Sequence, residues 1–262
     1  GDTVFHLRMA APPPSWEAYH EYITGMVAFV TGSPAVALRH YERAAAADDN
    51  WAMPRIAAAI MHMNLGSIAS ADSILAPLDT ARHRLGPLEH GTLRMVLGMM
   101  RGDQRYTYDA VMTMARIAPG TINEFMVGEM ARKLNRPAEA IAVLEGMGPE
   151  RGELRGWTPY WRELAYAHHM RGDHTHELDV ARRARVRHPH AVDVLGHEVR
   201  ALAALGRVGE LLQRIDERIA SASGAWPDAG ELMRMAASEL RWHGHTDAAA
   251  EIAGRAVAWH EQ

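Results

Sequence analysis

The chain has 262 residues, a net charge of −4, 16 histidines and no cysteine. The missing cysteine excludes disulfides, thiolate catalysis, iron–sulfur clusters and Cys-ligated zinc, and the mildly acidic balance gives no broad attraction to nucleic acid. Hydrophobic residues make up 48% of the chain, too many for a disordered polymer, and no apolar run approaches the roughly 18 residues of a membrane span.

Alanine, leucine, methionine, glutamate and arginine outweigh β-branched and aromatic residues, which predicts helix. All but one of the 28 basic residues are arginine, Lys133 being the exception; this reads as compositional bias rather than a phosphate-binding device. Residues 1–15, with "APPP" at 11–14, read as a stiff N-terminal linker of polyproline type. The chain starts at Gly1 rather than Met, so it reads as a segment of a longer protein.

From Trp16 onward, amphipathic stretches of three to four turns alternate with small turn residues. The turn residues are Gly32, Gly66, Gly102, Asn135, Gly172, Gly206 and Gly244, at intervals of 33 to 38 residues. Such a period must be weighed before any motif. The predicted hairpins run about 16–48, 52–80, 87–118, 121–147, 157–188, 191–221 and 227–260, within one repeat domain, 16–262. In the first, "GSPA" offers Ser33 as N-cap and Pro34 as first helical residue. In the fourth, Asn135 suits a left-handed turn and Pro137 follows it. In the seventh, Thr246 is the expected N-cap, with Asp247 in the first turn. Five residues past the turn sits Ala37, Ala71, Ala140 or Ala249, and four further on a larger apolar residue: Tyr41, Leu75, Val111, Leu144 or Ile215.

This grammar resembles the tetratricopeptide repeat (TPR). The fifth hairpin matches best, with Trp161, Leu164, Ala165, His168, Gly172 and Pro189 where that family has its Trp, Leu, small residue, aromatic, Gly and terminal Pro. The resemblance implies an all-α fold, a right-handed α-solenoid of about seven helix–turn–helix hairpins whose first helices line a concave, ligand-facing side. By register that side carries Tyr19, Tyr22, Met26, Ile56, Ile60, Met63, Asn64, Met99 and Phe125 in the N-terminal half. In the C-terminal half it carries Arg132, Arg162, Tyr166, His169, Arg200, Arg234 and Arg241. An extended peptide with apolar anchors and acidic or terminal carboxylate groups would complement such a groove. The family's Lys/Asn/Arg carboxylate clamp is not reproduced, since Asn64 and the Arg132–Lys133 pair lie two repeats apart. The stretches "PPPSWEAYHEYITGMVAF" (12–29) and "RGWTPYWRELAYAHHMRGD" (156–173) are also similar to helical-repeat regions of bacterial signalling proteins. There the array follows a serine/threonine kinase or winged-helix domain, often across a membrane. That implies a cytoplasmic or extracytoplasmic part of a membrane-tethered protein. The last helix still presents Ile252, Val257 and Trp259, a further contact surface for following repeats or a partner.

Residues 161–189 hold five of the histidines: His168, His169, His174, His176 and His188. Metal binding needs ligands converging on one point, which a His-x-His in a turn does not force. "HEYIT" (20–24) and "HEVRA" (197–201) lack the second His of HExxH. The cluster is therefore expected to be structural, with no metal and no cofactor. No G-x-S-x-G, phosphate loop or dinucleotide fingerprint occurs. The sequence reads as a non-catalytic peptide- or protein-binding module of a signalling protein. The alternatives are a regulatory domain that senses a small molecule and, third, a metal hydrolase built on the histidines.

Overall fold

The computed structural model describes residues 14–30, 33–148, 157–189, 191–221 and 227–261. Among these residues the chain forms fourteen α-helices, one 3₁₀ turn at Arg82–Arg84, and no strand. None of the helices is long and apolar enough to cross a membrane. Most of the predicted linker, residues 1–13, and the turn glycine Gly32 lie outside the described residues.

The chain divides after Pro119 into two compact units. Unit 1 contains α1 (Trp16–Val30), α2 (Pro34–Ala47), α3 (Met53–Asn64), α4 (Ile68–Thr80), α5 (Pro87–Arg101) and α6 (Gln104–Ile117). Each helix packs on the next, and α3 also packs on α5. Unit 2 contains α7 (Ile122–Lys133), α8 (Pro137–Gly146), α9 (Thr158–Met170), α10 (His174–Arg187), α11 (Val192–Ala204), α12 (Val208–Ala220), α13 (Ala229–Trp242) and α14 (Thr246–His260). Here too neighbours pack in sequence, and the first helices α7, α9, α11 and α13 contact one another in order. This two-step pattern, partner helix and next first helix, is the packing of stacked hairpins.

The turns explain the hairpins. Gly66, Gly102, Gly172, Gly206 and Gly244 all have φ between 66° and 83°, and Asn135 has φ 58°. A left-handed residue there lets the following N–H reach back to the preceding helix. Arg136 N donates to Ala131 O at 2.9 Å, Asp173 N to His168 O at 3.0 Å, and His245 N to Leu240 O at 2.8 Å. The reversal is thus the same at each of these described turns, and it sets the register of the next helix.

Two caps differ from expectation. Ser33 stands at the N-cap of α2, with Pro34 following, but its side chain makes no capping bond. Thr246 is the first helical residue of α14, and His245 takes the N-cap place. Asp103, Thr121, Asp173 and Asp228 do cap, each accepting a backbone N–H of the first turn. An acidic cap also complements the positive end of the helix dipole.

The positions five residues past the turn are sealed: Ala37, Ala71, Ala140 and Ala249 are all buried, as are Tyr41, Leu75, Val111, Leu144 and Ile215 one helical turn later. Small residues at the first set let two helices approach closely, and the second set fills the seam. The fit is tight on both sides. A methyl group added to Gly128 on α7 would lie 2.7 Å from Leu144 Cγ on α8. Buried carboxylates join successive hairpins. Glu89 accepts the backbone N–H of Ala52 at 2.8 Å and of Gly86 at 2.9 Å.

Candidate functional site

In unit 2 the first helices bring polar side chains to a common pocket. Arg162 and Tyr166 are four residues apart on α9, and so share one face. Glu129 and Arg132 come from α7, His197 and Arg200 from α11, and Met235 from α13. The pocket has a volume of about 490 Å³ and is open to solvent. Tyr166 lines it too, with the guanidiniums of Arg132 and Arg200 over its ring at 4.9 and 4.7 Å. This geometry favours cations over an aromatic face and holds both arginines in place.

Buried carboxylates anchor these arginines from behind. Glu163 is buried and accepts a short hydrogen bond from Arg132 Nε, with Arg162 Nε 3.5 Å away. Arg200 donates through Nε and Nη2 to Glu177 Oε1, both at 2.8 Å, and through Nη2 to His197 Nδ1 at 2.8 Å. Burial, reinforced by the Arg200 guanidinium, pushes His197 down to about 3; it is therefore neutral and accepts the Arg200 proton donor.

Glu177 is the most unusual residue of the unit. It is fully buried and stands five residues past Gly172, where other hairpins place Ala37, Ala71, Ala140 and Ala249. Its Oε2 faces two imidazoles, with His169 Nδ1 at 3.0 Å and His174 Nδ1 at 3.1 Å. Burial pushes the Glu177 carboxyl up, but the His169 hydrogen bond, the Arg200 charge and His174 outweigh it and hold it below the usual carboxylate range. On the far nitrogen of His169, Glu239 Oε1 lies 3.8 Å from Nε2, and the same oxygen is 3.1 Å from His243 Nε2.

Three solved structures share this arrangement of helices. A tetratricopeptide repeat protein from Parabacteroides merdae superposes with a TM-score of 0.56 at 11% identity, covering 93% of each chain. A chain of the APC/C hetero-tetramer Cut9-Hcn1 gives 0.61 at 14% identity, over 87% of this chain and 43% of that one. A signal transduction ATPase with a tetratricopeptide repeat sensor, from Pyrococcus horikoshii, gives 0.64 at 12% identity, over 92% of this chain and 42% of that one. The chain has the TPR fold. No protein-family model matches the sequence, and no curated protein matches it. The chain thus spans less than half of the two longer proteins whose fold it shares.

The TPR frame sorts the residues expected to face a ligand. In unit 2, Arg132, Arg162, Tyr166 and Arg200 line one pocket, and His169 stacks on Tyr166 with ring centroids 5.8 Å apart. Arg234 is exposed and holds Glu231 on its own helix at 2.5 Å, outside that pocket's lining. Arg241 is also exposed and outside the lining. Phe125 is a correction: it is buried, edge-on to Trp157 at 4.5 Å, and belongs to the core. Ile56 in unit 1 is corrected likewise, being fully buried. Tyr22 packs on Tyr41 and Trp51, while Tyr19, Met26 and Met99 are exposed. Ile60 is partly buried against the first core of unit 1, Met63 is half-buried and Asn64 exposed.

Glu163, Glu177, His197 and Glu239 are the residues that register alone missed. For Glu177 a signal was present: the one charged residue in a column that otherwise holds four alanines, Thr107 and Leu211. The histidines of the fifth hairpin do converge, in two groups: His169, His174 and Glu177, and His168, Asp173 and His176. His168 itself is buried in the aromatic packing place expected of it.

Proposed function

We propose that the chain is a non-catalytic protein-interaction module and that the pocket of unit 2 receives a carboxylate of an extended peptide. One observation carries this reading: Tyr166 under two guanidiniums, with a third arginine, Arg162, on the same lip. Guanidinium forks match a carboxylate in two-point geometry, and a fork already fixed by Glu163 or Glu177 loses little freedom on binding. The Cut9-Hcn1 assembly supports a protein partner for this fold, and the fold's use as a sensor in a signalling ATPase supports a regulatory context. On the same reading the chain is a part of a larger bacterial signalling protein.

A second reading has its own support in the pocket's size. A volume of about 490 Å³ is within the range that encloses small molecules, so a small carboxylate ligand could occupy the same place and regulate a tethered domain.

Display of a random peptide library on the full chain and on an Arg162→Glu variant tests both. Arg162 is half exposed and makes only a long contact to Glu163, so the variant keeps the fold. The wild type is expected to select acidic or free-carboxylate peptides, and the variant to bind them at least tenfold more weakly. Selection of no peptide, with binding of small dicarboxylates that the variant loses, favours the sensor. Equal behaviour of both proteins toward every ligand overturns the pocket assignment.

A further inference from the structure

We propose that His169 Nδ1, His174 Nδ1 and Glu177 Oε2 form a binding site for one late first-row divalent cation, such as Zn²⁺. The proposal rests on these three groups and on what surrounds them, and is independent of any ligand in the arginine pocket.

The first argument is convergence. Two imidazole nitrogens approach one carboxylate oxygen at 3.0 and 3.1 Å, and the three atoms lie within 4.8 Å of one another. Ligands held about 2.0–2.1 Å from a tetrahedral zinc sit about 3.3 Å apart. The two histidine-to-carboxylate edges already have about that length, and closing the third, between the imidazoles, needs a ring adjustment of up to about 1.5 Å.

The second argument is the outer shell. In the metal-free chain a proton on His169 Nδ1 satisfies the 3.0 Å contact to Glu177 Oε2. On the other side of the ring Glu239 Oε1 stands 3.8 Å from Nε2, too far for a hydrogen bond but facing that nitrogen. A cation at Nδ1 moves the proton to Nε2, and a small approach then gives Glu239 the outer role that carboxylates play behind ligating histidines.

The third argument is support. Arg200 occupies Glu177 Oε1 with two donors, which fixes the carboxylate and leaves Oε2 for the metal. The carboxylate is fully buried, while His169 and His174 are partly exposed, so an ion has a path in and a fourth position for water or His243. The His174 and His243 rings are 4.8 Å apart. Borderline-soft ions that accept imidazole and carboxylate together fit this donor set; Mg²⁺ and Ca²⁺, which take all-oxygen shells, do not. The nearby Arg200 charge opposes a second cation, so affinity is expected to be micromolar rather than nanomolar. The neighbouring group His168, Asp173 and His176 is the poorer candidate. Its His176 is exposed and its Asp173 partly so, whereas Glu177 is fully buried.

The test is titration of the chelator-stripped full chain with Co²⁺, followed in the visible spectrum, and displacement by Zn²⁺. One equivalent of Co²⁺ is expected to give the intense bands of a four-coordinate N/O site and to be displaced by one Zn²⁺. His174→Asn and His169→Gln, both at partly exposed positions, should each weaken binding at least tenfold with the helical circular dichroism unchanged, and His176→Asn should not. Absence of the bands in the wild type overturns the proposal. So does equal affinity in His169→Gln and His174→Asn, or loss of binding in His176→Asn alone, which assigns the ion to the other group.

Discussion

His197 faces the Arg200 guanidinium from within the pocket wall, and its imidazole stays neutral well below the usual range, to about 3. In the unfolded chain the same group takes a proton near pH 6.5. Between those values the unfolded state binds more protons, so stability rises with pH there and is lost as pH falls below about 6.5. Thermal midpoints of metal-free protein at about pH 7.5 and pH 5 measure the loss. His197→Asn keeps a group that can accept from Arg200 but cannot titrate, and it is expected to flatten part of that slope. An identical slope in wild type and variant assigns the acid sensitivity to other groups. At this scale the sequence was least informative. It placed Arg132, Arg162, Tyr166 and Arg200 together through their register, but not the buried Glu163 and Glu177 that hold them. Charge partners come from different hairpins, and register within one hairpin carries no information about them. Ile56 and Phe125 show the converse: an inward-leaning apolar side chain in a stacked array is often covered by the next hairpin.

At the scale of the helical hairpin, two glycines make opposite demands. Gly172 has φ 69° and open space around its missing side chain, whereas Gly128 has an ordinary helical backbone but abuts Leu144. Gly172→Ala therefore costs through the backbone alone, about 1–2 kcal/mol for a left-handed residue with a Cβ. Gly128→Ala costs through overpacking, about 1–3 kcal/mol, offset in part by the better helix propensity of alanine. Denaturant unfolding of the three proteins gives the values, and Leu144→Ala added to each variant separates the causes. It should relieve the strain of Gly128→Ala and leave the cost of Gly172→Ala unchanged. The turns were the most legible feature of the sequence because a left-handed turn restricts residue type to glycine and, at Asn135, its nearest substitute. Caps were less legible: Ser33 and Thr246 have the right chemistry, but Ser33 makes no capping bond and Thr246 lies one residue inside its helix.

Across the whole molecule, stability in such stacked arrays is a sum of hairpin terms and nearest-neighbour terms, so the two units need not share a pH dependence. In unit 1, burial pushes the Tyr22 phenol up to about 12, and burial beside Tyr22 also raises Tyr41. Unfolded tyrosines ionise near pH 10. Above that value the native state holds more protons than the unfolded state, and stability falls as pH rises. Unit 1 is therefore expected to weaken above about pH 10, and unit 2 below about pH 6.5. Hydrogen exchange resolved by segment and compared at each extreme with neutral pH reads both, with Tyr22→Phe removing part of the alkaline loss. Uniform loosening along the chain at both extremes contradicts this division.

A designer who averaged the hairpins into one idealised unit would write alanine at position 177, as at 37, 71, 140 and 249. That substitution rids the interior of a charge, a familiar route to a more heat-resistant scaffold. Here it leaves the partly buried Arg200 without the carboxylate that accepts its Nε and Nη2, so the gain appears only if residue 200 is rewritten as well. The fifth hairpin thus marks where idealisation of this scaffold trades away its most distinctive chemistry.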